Sequence, residues 1–255
     1  MPTVADVVAA LRRQPDRSAV IVDFDGTLAP IVEDPAAARP LPEVPAVLDA
    51  LADRYGLVAV VSGRPAAFLQ AHLGPGPLLV GLYGLERVED DTVVVDPSVA
   101  PWAAIVDEAA AAATAELPSA VGVEHKGLSL TLHVRTAPEL GDDVAAWAER
   151  AAARWGLATG AARMSTELHP PVEVDKGTVV AGLLAEARAE AACFIGDDVG
   201  DLPALAAVAS FAAAGGAGYR VVVASEESAP ELLAAADATV PGPSAVLDLL
   251  RALLA

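Results

Sequence analysis

The sequence predicts an α/β fold, a doubly wound, Rossmann-like parallel sheet into which a smaller α+β domain is inserted. Over most of the chain, short apolar runs that end in Gly, Asp or Ser alternate with longer amphipathic or alanine-rich stretches. This alternation is typical of a parallel sheet covered by helices on both faces. Between residues 97 and 170 this pattern breaks, and stretches appear in which apolar and polar residues alternate, which indicates half-buried antiparallel strands.

The predicted strands of the parallel sheet are short runs that are apolar on both faces and end at turn residues. In chain order they are AVIVDFDG (19–26), LVAVVSGR (57–64), PLLVGLYG (77–84), ACFIGDD (192–198) and YRVVVAS (219–225). The amphipathic stretches PEVPAVLDALADRYG (42–56), KGTVVAGLLAEARAE (176–190) and PSAVLDLLRALLA (243–255) are predicted helices. We therefore expect a catalytic core domain formed by residues 1–96 and 171–255.

The inserted domain, residues 97–170, is predicted to contain two helices and several antiparallel strands. One helix begins after Pro101 and ends near Pro118, and the other carries apolar residues at helical spacing between Leu140 and Trp155. The stretches VGVEHKGLSLTLHVR (121–135) and ARMSTELHP (162–170) alternate as strands do. Each has one polar face, which suits either sugar hydroxyls or ordinary exposure to solvent. These polar side chains are Glu124 and Lys126 in the first stretch, and Arg163, Ser165, Glu167 and His169 in the second.

Composition excludes several classes of function. The 255 residues carry a formal charge of −19, which argues against nucleic acid or an anionic membrane surface as a partner. Cys193 is the single cysteine, so no internal disulfide is expected and a reducing compartment fits. No signal-like start is recognised and no apolar run approaches the roughly 18 residues of a membrane span. We therefore expect a cytoplasmic protein.

Two aspartates, Asp23 and Asp25, stand at the end of the first predicted strand. In an open α/β sheet, ligands bind beyond the carboxyl ends of the strands. Neighbouring carboxylates repel each other unless a proton or a cation lies between them, and Mg²⁺ prefers oxygen ligands of this kind. Taken alone, however, the pair fits ordinary turn or helix-capping aspartates equally well.

Three further motifs add to this pair. GDDVGD (196–201) places another group of acids after a strand, which can share one metal with the first pair if the two strands are neighbours. Asp201 also fits the N-cap of the next helix. Ser62 ends a strand, where its hydroxyl suits a phosphate oxygen, and Lys176 precedes a helix, where its ammonium offsets the acids. Each is unspecific alone, but the four motifs in this order are specific.

With DFDGT, SGR, Lys176 and GDDVGD, the sequence resembles the haloacid-dehalogenase-like phosphatases. The resemblance implies that Asp23 is the nucleophile that forms an aspartyl-phosphate, and that Asp25 is the general acid and then the base. It implies Mg²⁺ as cofactor, held by Asp23, the backbone carbonyl of Asp25 and Asp197, while Lys176 neutralises charge during catalysis. The implied phosphate-binding residues are Thr27, Ser62, Gly63 and Lys176, and Asp198 and Asp201 are implied to support the metal from further away.

A narrower resemblance, to the trehalose-6-phosphate phosphatases, extends through the inserted domain. It rests on GLYGLE, VEHKGLSLTLHVR and ELHPPVEVDKGT together with the four motifs. The resemblance implies hydrolysis of trehalose 6-phosphate and functional pairing with trehalose-6-phosphate synthase. The residues that it implies for binding the sugar are Arg64, Glu86, Glu124, Lys126 and Glu167. The sequence departs from the family pattern at Tyr83, His169, Gly200 and Leu202, and the first two leave the specificity for trehalose open.

Other functions remain compatible with these residues. The same chemistry fits another sugar phosphate, such as sucrose phosphate or a mannosyl- or glucosyl-glycerate phosphate. A receiver-like signalling module also has an acidic pocket with a phosphorylatable aspartate, but Asp25 and the inserted domain argue against it. A non-catalytic sugar-phosphate binder is a third alternative. No segment is typical of an oligomerisation element, so we expect a monomer.

Overall fold

The computed structural model of the chain describes residues 2–32, 34–162, 164–172 and 174–255. It divides into two compact units, which we call the core unit and the inserted unit. The core unit consists of Met1–Val94 and Val174–Ala255, and the inserted unit is Val95–Glu173. The inserted domain was predicted at 97–170. Arg163, which was predicted on a polar strand face, lies outside the described residues.

The described chain folds into α-helices and β-strands that we number in chain order. The strands are β1 Ser18–Val22, β2 Leu57–Val61, β3 Leu78–Gly81, β4 Glu86–Glu89, β5 Thr92–Val95, β6 Gly122–His125, β7 Leu130–His133, β8 Ala158–Ala162, β9 Ser165–His169, β10 Ala191–Gly196, β11 Ala217–Val223 and β12 Ala238–Val240. The helices are α1 Val4–Leu11, α2 Val44–Ala52, α3 Ala66–Leu73, α4 Trp102–Glu116, α5 Gly141–Trp155, α6 Lys176–Glu186, α7 Leu202–Ala213, α8 Pro230–Ala235 and α9 Gly242–Leu254.

The large sheet confirms the predicted α/β fold class. Its strand order is β12-β11-β10-β1-β2-β3-β4-β5. Every pair from β12 to β3 is parallel, and β4 is antiparallel to β3. Val22 of β1 lies level with Ile195 of β10 on one side and with Val60 of β2 on the other. The carboxyl ends of these three strands therefore lie side by side.

The burial of β1 explains why its sequence lacks alternation. All five residues of the strand are buried. Val20 and Val22 pack in one apolar cluster with side chains of α1, α2 and α9, whereas Ala19 and Ile21 pack in another with side chains of α6 and α7. Both faces of the sheet are thus covered, and both must be apolar.

The inserted unit contains an antiparallel sheet with the order β6-β7-β9-β8. One face packs its leucines, including Leu130 and Leu132, against α4 and α5. The pattern predicts half-buried strands, but Ser129 and Thr131 on the polar face are buried as well. The reason is that β7 lies between β6 and β9, whose glutamates flank Thr131 in the register.

No helix in the described part of the chain is both long enough and apolar enough to cross a membrane.

Candidate active site

The carboxyl ends of β1, β10 and β2 place three predicted site residues next to one another along the sheet. Asp23 follows β1, Asp197 follows β10 and Ser62 follows β2. The backbone N–H of Asp23 donates to the carbonyl of Ile195 at 2.9 Å, and that of Ser62 donates to the carbonyl of Val80 at 3.0 Å. Asp23 and Ser62 therefore continue the ladders of their strands, and the register of the sheet fixes their positions, whereas the backbone N–H of Asp197 donates to Oδ2 of Asp201.

Lys176 lies between two carboxylates. Its Nζ donates to Oδ1 of Asp23 and to Oδ1 of Asp201, both at 2.6 Å. All three side chains are buried. Lys176 is the first residue of α6, and a capping box between Asp175 and Thr178 fixes the start of that helix. The position of the ammonium group is thus set by local sequence as well as by its partners.

Asp201 was predicted to support the metal or to cap the following helix. Its side chain makes no cap bond to α7. Instead, Oδ2 accepts from the backbone N–H groups of Asp197 at 2.9 Å and Asp198 at 3.1 Å, so both of its oxygens are engaged. Asp198 is exposed and accepts from the backbone N–H of Val199. Asp201 therefore stabilises the turn that carries Asp197 by accepting hydrogen bonds from its backbone.

The charges of this cluster shift its proton equilibria. Burial raises the pKa of Asp23 to about 7, against the opposing effect of Lys176. Burial, followed by the charges of Asp23 and Asp201, raises the pKa of Asp197 to about 8. Burial alone would lower the pKa of Lys176, but Asp23 and Asp201 raise it well above its ordinary value. The single positive charge of Lys176 is therefore too little to neutralise the carboxylates of Asp23, Asp197 and Asp201.

A divalent cation fits this deficit. One carboxylate oxygen from each of Asp23, Asp197 and Asp201 lies within 4.8 Å of the others. Because Lys176 and two backbone N–H groups already occupy the oxygens of Asp201, Asp23 and Asp197 are the carboxylates best placed to hold Mg²⁺, which takes oxygen ligands.

Gly26 permits the close approach of Asp197 to the turn after β1. A Cβ atom built on Gly26 would lie 1.9 Å from Oδ2 of Asp197, and the glycine has φ +73°. A side chain at this position would collide with the carboxylate, and the left-handed backbone would add strain. The glycine of DFDGT is thus required by geometry at this turn.

Asp25 is turned toward Arg64. Its two carboxylate oxygens accept from Nε and Nη2 of Arg64, each at 2.7 Å. Nη1 of Arg64 donates to the carbonyl of Pro35 at 2.6 Å, and the guanidinium group lies over the ring of Phe68, 4.7 Å from its centroid. This pairing was not predicted, because Asp25 was expected to act in catalysis and Arg64 to bind the sugar.

The remaining predicted residues of the core unit surround the SGR turn. Ser62 is buried, and its Oγ accepts from the backbone N–H of Arg64 at 3.2 Å. The ring of Tyr83 lies against Gly63, since a Cβ there would be 2.6 Å from the phenol oxygen. Leu82 and Tyr83 both have positive φ, and their N–H groups donate to the carbonyls of Arg64 and Ser62. Strained backbone of this kind is held here by the turn that it contacts.

Glu86 and Thr27 are buried to an extent that the sequence did not suggest. Oε2 of Glu86 accepts from the backbone N–H of Ala66, the first residue of α3, at 2.7 Å. Burial raises the pKa of Glu86, against the opposing effect of this hydrogen bond. The hydroxyl of Thr27 is buried and has no hydrogen-bond partner among the described residues. Glu86 thus anchors the start of α3.

The inserted unit brings its predicted residues into one polar row. Glu124, Thr131 and Glu167 are register partners across β6, β7 and β9, so their side chains share a face. Nζ of Lys126 lies 3.9 Å from Oε2 of Glu124 and 3.8 Å from Oε1 of Glu167. Ser129 completes the set by donating from Oγ to Oε1 of Glu167 at 2.7 Å. The ammonium is therefore placed between the two carboxylates.

His133 was also missed as a partner of the row. Its Nε2 lies 2.7 Å from Oε2 of Glu124. The alternation of β7 places Ser129, Thr131 and His133 on the polar face, which was the signal available in the sequence. Which glutamate each would contact depends on strand register, which a sequence does not state.

Comparison with known proteins gives a consistent result. A family model described as trehalose-phosphatase matches residues 21–237. The trehalose-phosphate phosphatase of Mycobacterium ulcerans is 35% identical over 224 residues, which are 82% of this chain and 57% of that protein. The chain thus spans a little over half the length of this curated relative.

Solved structures share the fold. The C-terminal domain of Candida albicans trehalose-6-phosphate phosphatase aligns with a TM-score of 0.74 at 24% identity, covering 97% of this chain and 95% of that chain. A haloacid dehalogenase-like hydrolase from Bacteroides thetaiotaomicron aligns with a TM-score of 0.63 at 15% identity, covering 92% and 98%. At these identities the likeness concerns the fold.

Proposed function

This chain belongs to the trehalose-phosphatase family, and from that premise we propose that it hydrolyses trehalose 6-phosphate to trehalose and phosphate. We propose further that the reaction requires Mg²⁺ and passes through an aspartyl-phosphate on Asp23. The observation that carries the proposal is the placement of Lys176 against Asp23, beside Asp197, at the carboxyl ends of neighbouring strands.

In the first half of the reaction, a carboxylate oxygen of Asp23 forms a bond to phosphorus as the bond from phosphorus to the sugar oxygen breaks. Asp25 donates its proton to that oxygen, so trehalose leaves as a neutral alcohol. Lys176 holds one oxygen of Asp23 at 2.6 Å, which leaves the other to attack. A carboxylate can approach a phosphate dianion only if positive charge offsets their repulsion.

In the second half, Asp25 takes a proton from water, and the water oxygen bonds to phosphorus. The bond from Asp23 to phosphorus breaks, which releases inorganic phosphate and restores the Asp23 carboxylate. Thr27, Ser62 and Gly63 are the proposed contacts of the phosphate oxygens. When bound, Mg²⁺ would be held by the carboxylates of Asp23 and Asp197, with the backbone carbonyl of Asp25 as a further proposed ligand, and it would supply positive charge to the phosphate.

The polar row of the inserted unit supports a neutral sugar as the leaving group. Glu124 and Glu167 supply two carboxylates and Lys126 one ammonium, a set that suits hydroxyl groups, which both donate and accept hydrogen bonds. The excess of negative charge would repel a substrate with its own carboxylate, such as a glycosyl-glycerate phosphate. We therefore assign the sugar-binding role to these three residues.

Several expectations have no test in the structure and stay predictions. They are the pairing with trehalose-6-phosphate synthase, the monomeric state, the cytoplasmic location, and the division of labour between a catalytic core and an inserted domain that sets specificity.

The test is phosphate release from trehalose 6-phosphate, sucrose 6-phosphate and glucose 6-phosphate, with Mg²⁺ and after chelation, in the unaltered protein and in Asp23→Asn. We expect preference for trehalose 6-phosphate and loss of activity on chelation and in Asp23→Asn. Equal activity on the three esters would remove the specificity and keep the chemistry. No release from any ester would overturn the proposed function in favour of a binding or signalling role.

A further inference from the structure

The pair formed by His133 and Glu124 carries an inference about how the inserted unit recognises a sugar. Nε2 of His133 on β7 lies 2.7 Å from Oε2 of Glu124 on β6. We propose that His133 is a positioning residue, whose Nε2–H group holds the carboxylate of Glu124 in place for the sugar and away from the ammonium of Lys126. The inference rests on the proposed function, since sugar binding by Glu124 is part of that function.

The direction of this hydrogen bond follows from the chemistry of the two groups. An ionised carboxylate has acceptors only, whereas a ring nitrogen of histidine donates when it carries a hydrogen. At 2.7 Å the hydrogen therefore belongs to Nε2 of His133, and the neutral ring can carry it there as well as the charged ring. His133 thus holds Glu124 without any change in its own charge.

The fold leaves room for the imidazole beside Glu124. In the register of β6 and β7, His133 lies opposite Gly122, and Glu124 is the next residue of β6 on the same face. A Cβ atom built on Gly122 would lie 3.3 Å from Cβ and 3.9 Å from Cδ2 of His133. Because glycine has no side chain, the ring can lie over this position and reach Glu124 diagonally across the two strands.

The two carboxylate oxygens paired with Lys126 are already engaged by the polar face of β7. Oε2 of Glu124, which is 3.9 Å from Nζ, accepts from His133 at 2.7 Å. Oε1 of Glu167, which is 3.8 Å from Nζ, accepts from Ser129 at 2.7 Å. Both distances to Nζ exceed those of hydrogen bonds, and Nζ makes no hydrogen bond with any residue that the structure describes.

This arrangement keeps the ammonium of Lys126 available to a ligand. Its N–H groups and the fixed carboxylates beside it suit a sugar, whose hydroxyls both donate and accept hydrogen bonds. Without the imidazole, the attraction between opposite charges would draw Glu124 onto Lys126, and a charge-assisted hydrogen bond would then engage both groups. A sugar would have to break that bond in order to bind, so its affinity would fall.

Loss of this positioning affects KM and kcat differently. Contacts that hold the sugar equally in the ground state and in the transition state change KM and leave kcat near its original value. An aryl phosphate contains no sugar, so its hydrolysis does not depend on how Glu124 is held. A general loss of folded protein would instead lower kcat for every ester.

The experiment measures kcat and KM for trehalose 6-phosphate and for para-nitrophenyl phosphate, with Mg²⁺, in the unaltered protein, His133→Leu and His133→Gln. For His133→Leu we expect KM for trehalose 6-phosphate to rise about tenfold, as for the loss of a hydrogen bond to a charged group. The ratio of kcat/KM for the sugar ester to kcat/KM for the aryl ester should fall by the same factor. His133→Gln, whose amide N–H can donate to Glu124, should restore most of the affinity.

His125→Leu is the matched control, because His125 forms the same kind of pair in the same unit. Its Nε2 lies 2.8 Å from Oδ1 of Asp107 on α4, a side chain that is 67% exposed. Neither residue belongs to the polar row, so we expect this variant to retain the KM for trehalose 6-phosphate. In a Glu124→Gln background, His133→Leu should add little further increase in KM, since a positioning residue acts through its partner.

The outcomes separate this inference from the function on which it rests. An unchanged KM in His133→Leu would overturn the positioning role, and so would an equal rise in His125→Leu or an equal fall of kcat for both esters. An equally large further rise in the Glu124→Gln background would also overturn it, because His133 would then act independently of Glu124. If the unaltered protein hydrolyses no ester, or the aryl phosphate alone, the proposed function fails first and the positioning role fails with it.

Discussion

Lys176 and Asp23 are 153 positions apart in the sequence, yet the ammonium of one lies 2.6 Å from a carboxylate oxygen of the other. The contact joins the first turn of α6 to the carboxyl end of β1. Because both side chains are buried, the attraction between them is screened less than it would be at the surface. The same lysine also donates to Asp201, so one cation stabilises both the proposed nucleophile and the residue that supports the turn carrying Asp197.

Replacement of Lys176 by Met should therefore impair both activity and folding. It leaves Asp23 and Asp201 buried without their partner, which typically costs about 3–5 kcal/mol of stability, and we expect kcat to fall by about 10²–10³-fold. Phosphate release and denaturant unfolding measure the two effects. Lys126→Met, which removes the only other lysine, should cost less than about 1 kcal/mol because its ion pairs are longer and partly exposed. Equal destabilisation by the two variants would contradict this account.

The strand ends of the candidate active site could be predicted because their signals are local. β1 and β10 are apolar runs that stop at acids, and the rule for open α/β sheets then gives the edge at which ligands bind. That β1 and β10 are neighbours in the sheet could not be predicted, because strand order is set by packing of the whole chain. A shared metal site was therefore expected only on the condition that the two strands are neighbours. Asp25 and Arg64 are each visible in a motif, but nothing local joins residues that lie 39 positions apart.

The strands that were not predicted either lack a pattern of alternating apolar residues or are very short. β8, with the sequence ATGAA, gains its place by pairing with β9. β4, β5 and β12 have only three or four residues each, and unlike the equally short β3, β6 and β7 they do not lie in a longer run whose period can be recognised. In the inserted unit, the polar face of β7 was predicted, but its burial follows from the glutamates of the flanking strands.

Gly26→Ala should disrupt the turn after β1, which lies beside the proposed Mg²⁺ ligand Asp197. The added methyl group would lie 1.9 Å from Oδ2 of Asp197, so either the turn after β1 or the carboxylate must move. We expect affinity for Mg²⁺, measured by calorimetry, and the rate of phosphate release both to fall at least about tenfold, since a tenfold change corresponds to about 1.4 kcal/mol.

Gly74→Ala is the matched control for this turn. Gly74 has φ +75°, close to the +73° of Gly26, but a Cβ there meets no atom within 4 Å. Its ψ of −172° places Gly74 in a backbone region that glycine adopts far more readily than other residues. Alanine there incurs backbone strain of about 1–3 kcal/mol without the collision, and Mg²⁺ affinity should be retained. Loss of affinity in both variants would assign the effect to backbone strain.

Ser129→Ala should weaken the proposed binding of the sugar by the inserted unit. The hydroxyl of Ser129 holds Oε1 of Glu167 at 2.7 Å, and hydrogen bonds to charged groups contribute about 1.5–3 kcal/mol. We expect KM for trehalose 6-phosphate to rise about tenfold, while kcat/KM for an aryl phosphate stays unchanged because that ester lacks a sugar.

Thr131→Val provides the comparison within the same strand. The Thr131 hydroxyl is buried and has no partner among the described residues, so its replacement by a methyl group of similar shape should be neutral or stabilising. Thermal unfolding checks this directly. Destabilisation by more than about 1 kcal/mol would show that the hydroxyl has a partner in solution, because an unpaired buried polar group lowers stability and its removal would not.

Asp237→Asn should reduce stability in a manner that depends on pH. The hydrogen bonds from Arg220, at 2.9 and 2.6 Å, hold the pKa of Asp237 below its ordinary value. A carboxyl group whose pKa is lower in the folded state stabilises that state above its unfolded pKa of about 3.9, and this contribution is lost as the pH falls through the folded pKa. Denaturant unfolding at pH 7 should show a loss of about 1–2 kcal/mol in the variant, a value discounted for partial exposure. The difference from the unaltered protein should shrink below pH of about 4.

Asp248→Asn, which breaks a more exposed pair with Arg251, should change stability by less than about 0.5 kcal/mol at either pH. If the loss of stability in Asp237→Asn stayed the same in acid, it would come from altered hydrogen-bond geometry and not from the lost charge. The ion-pair explanation of this site would then be wrong.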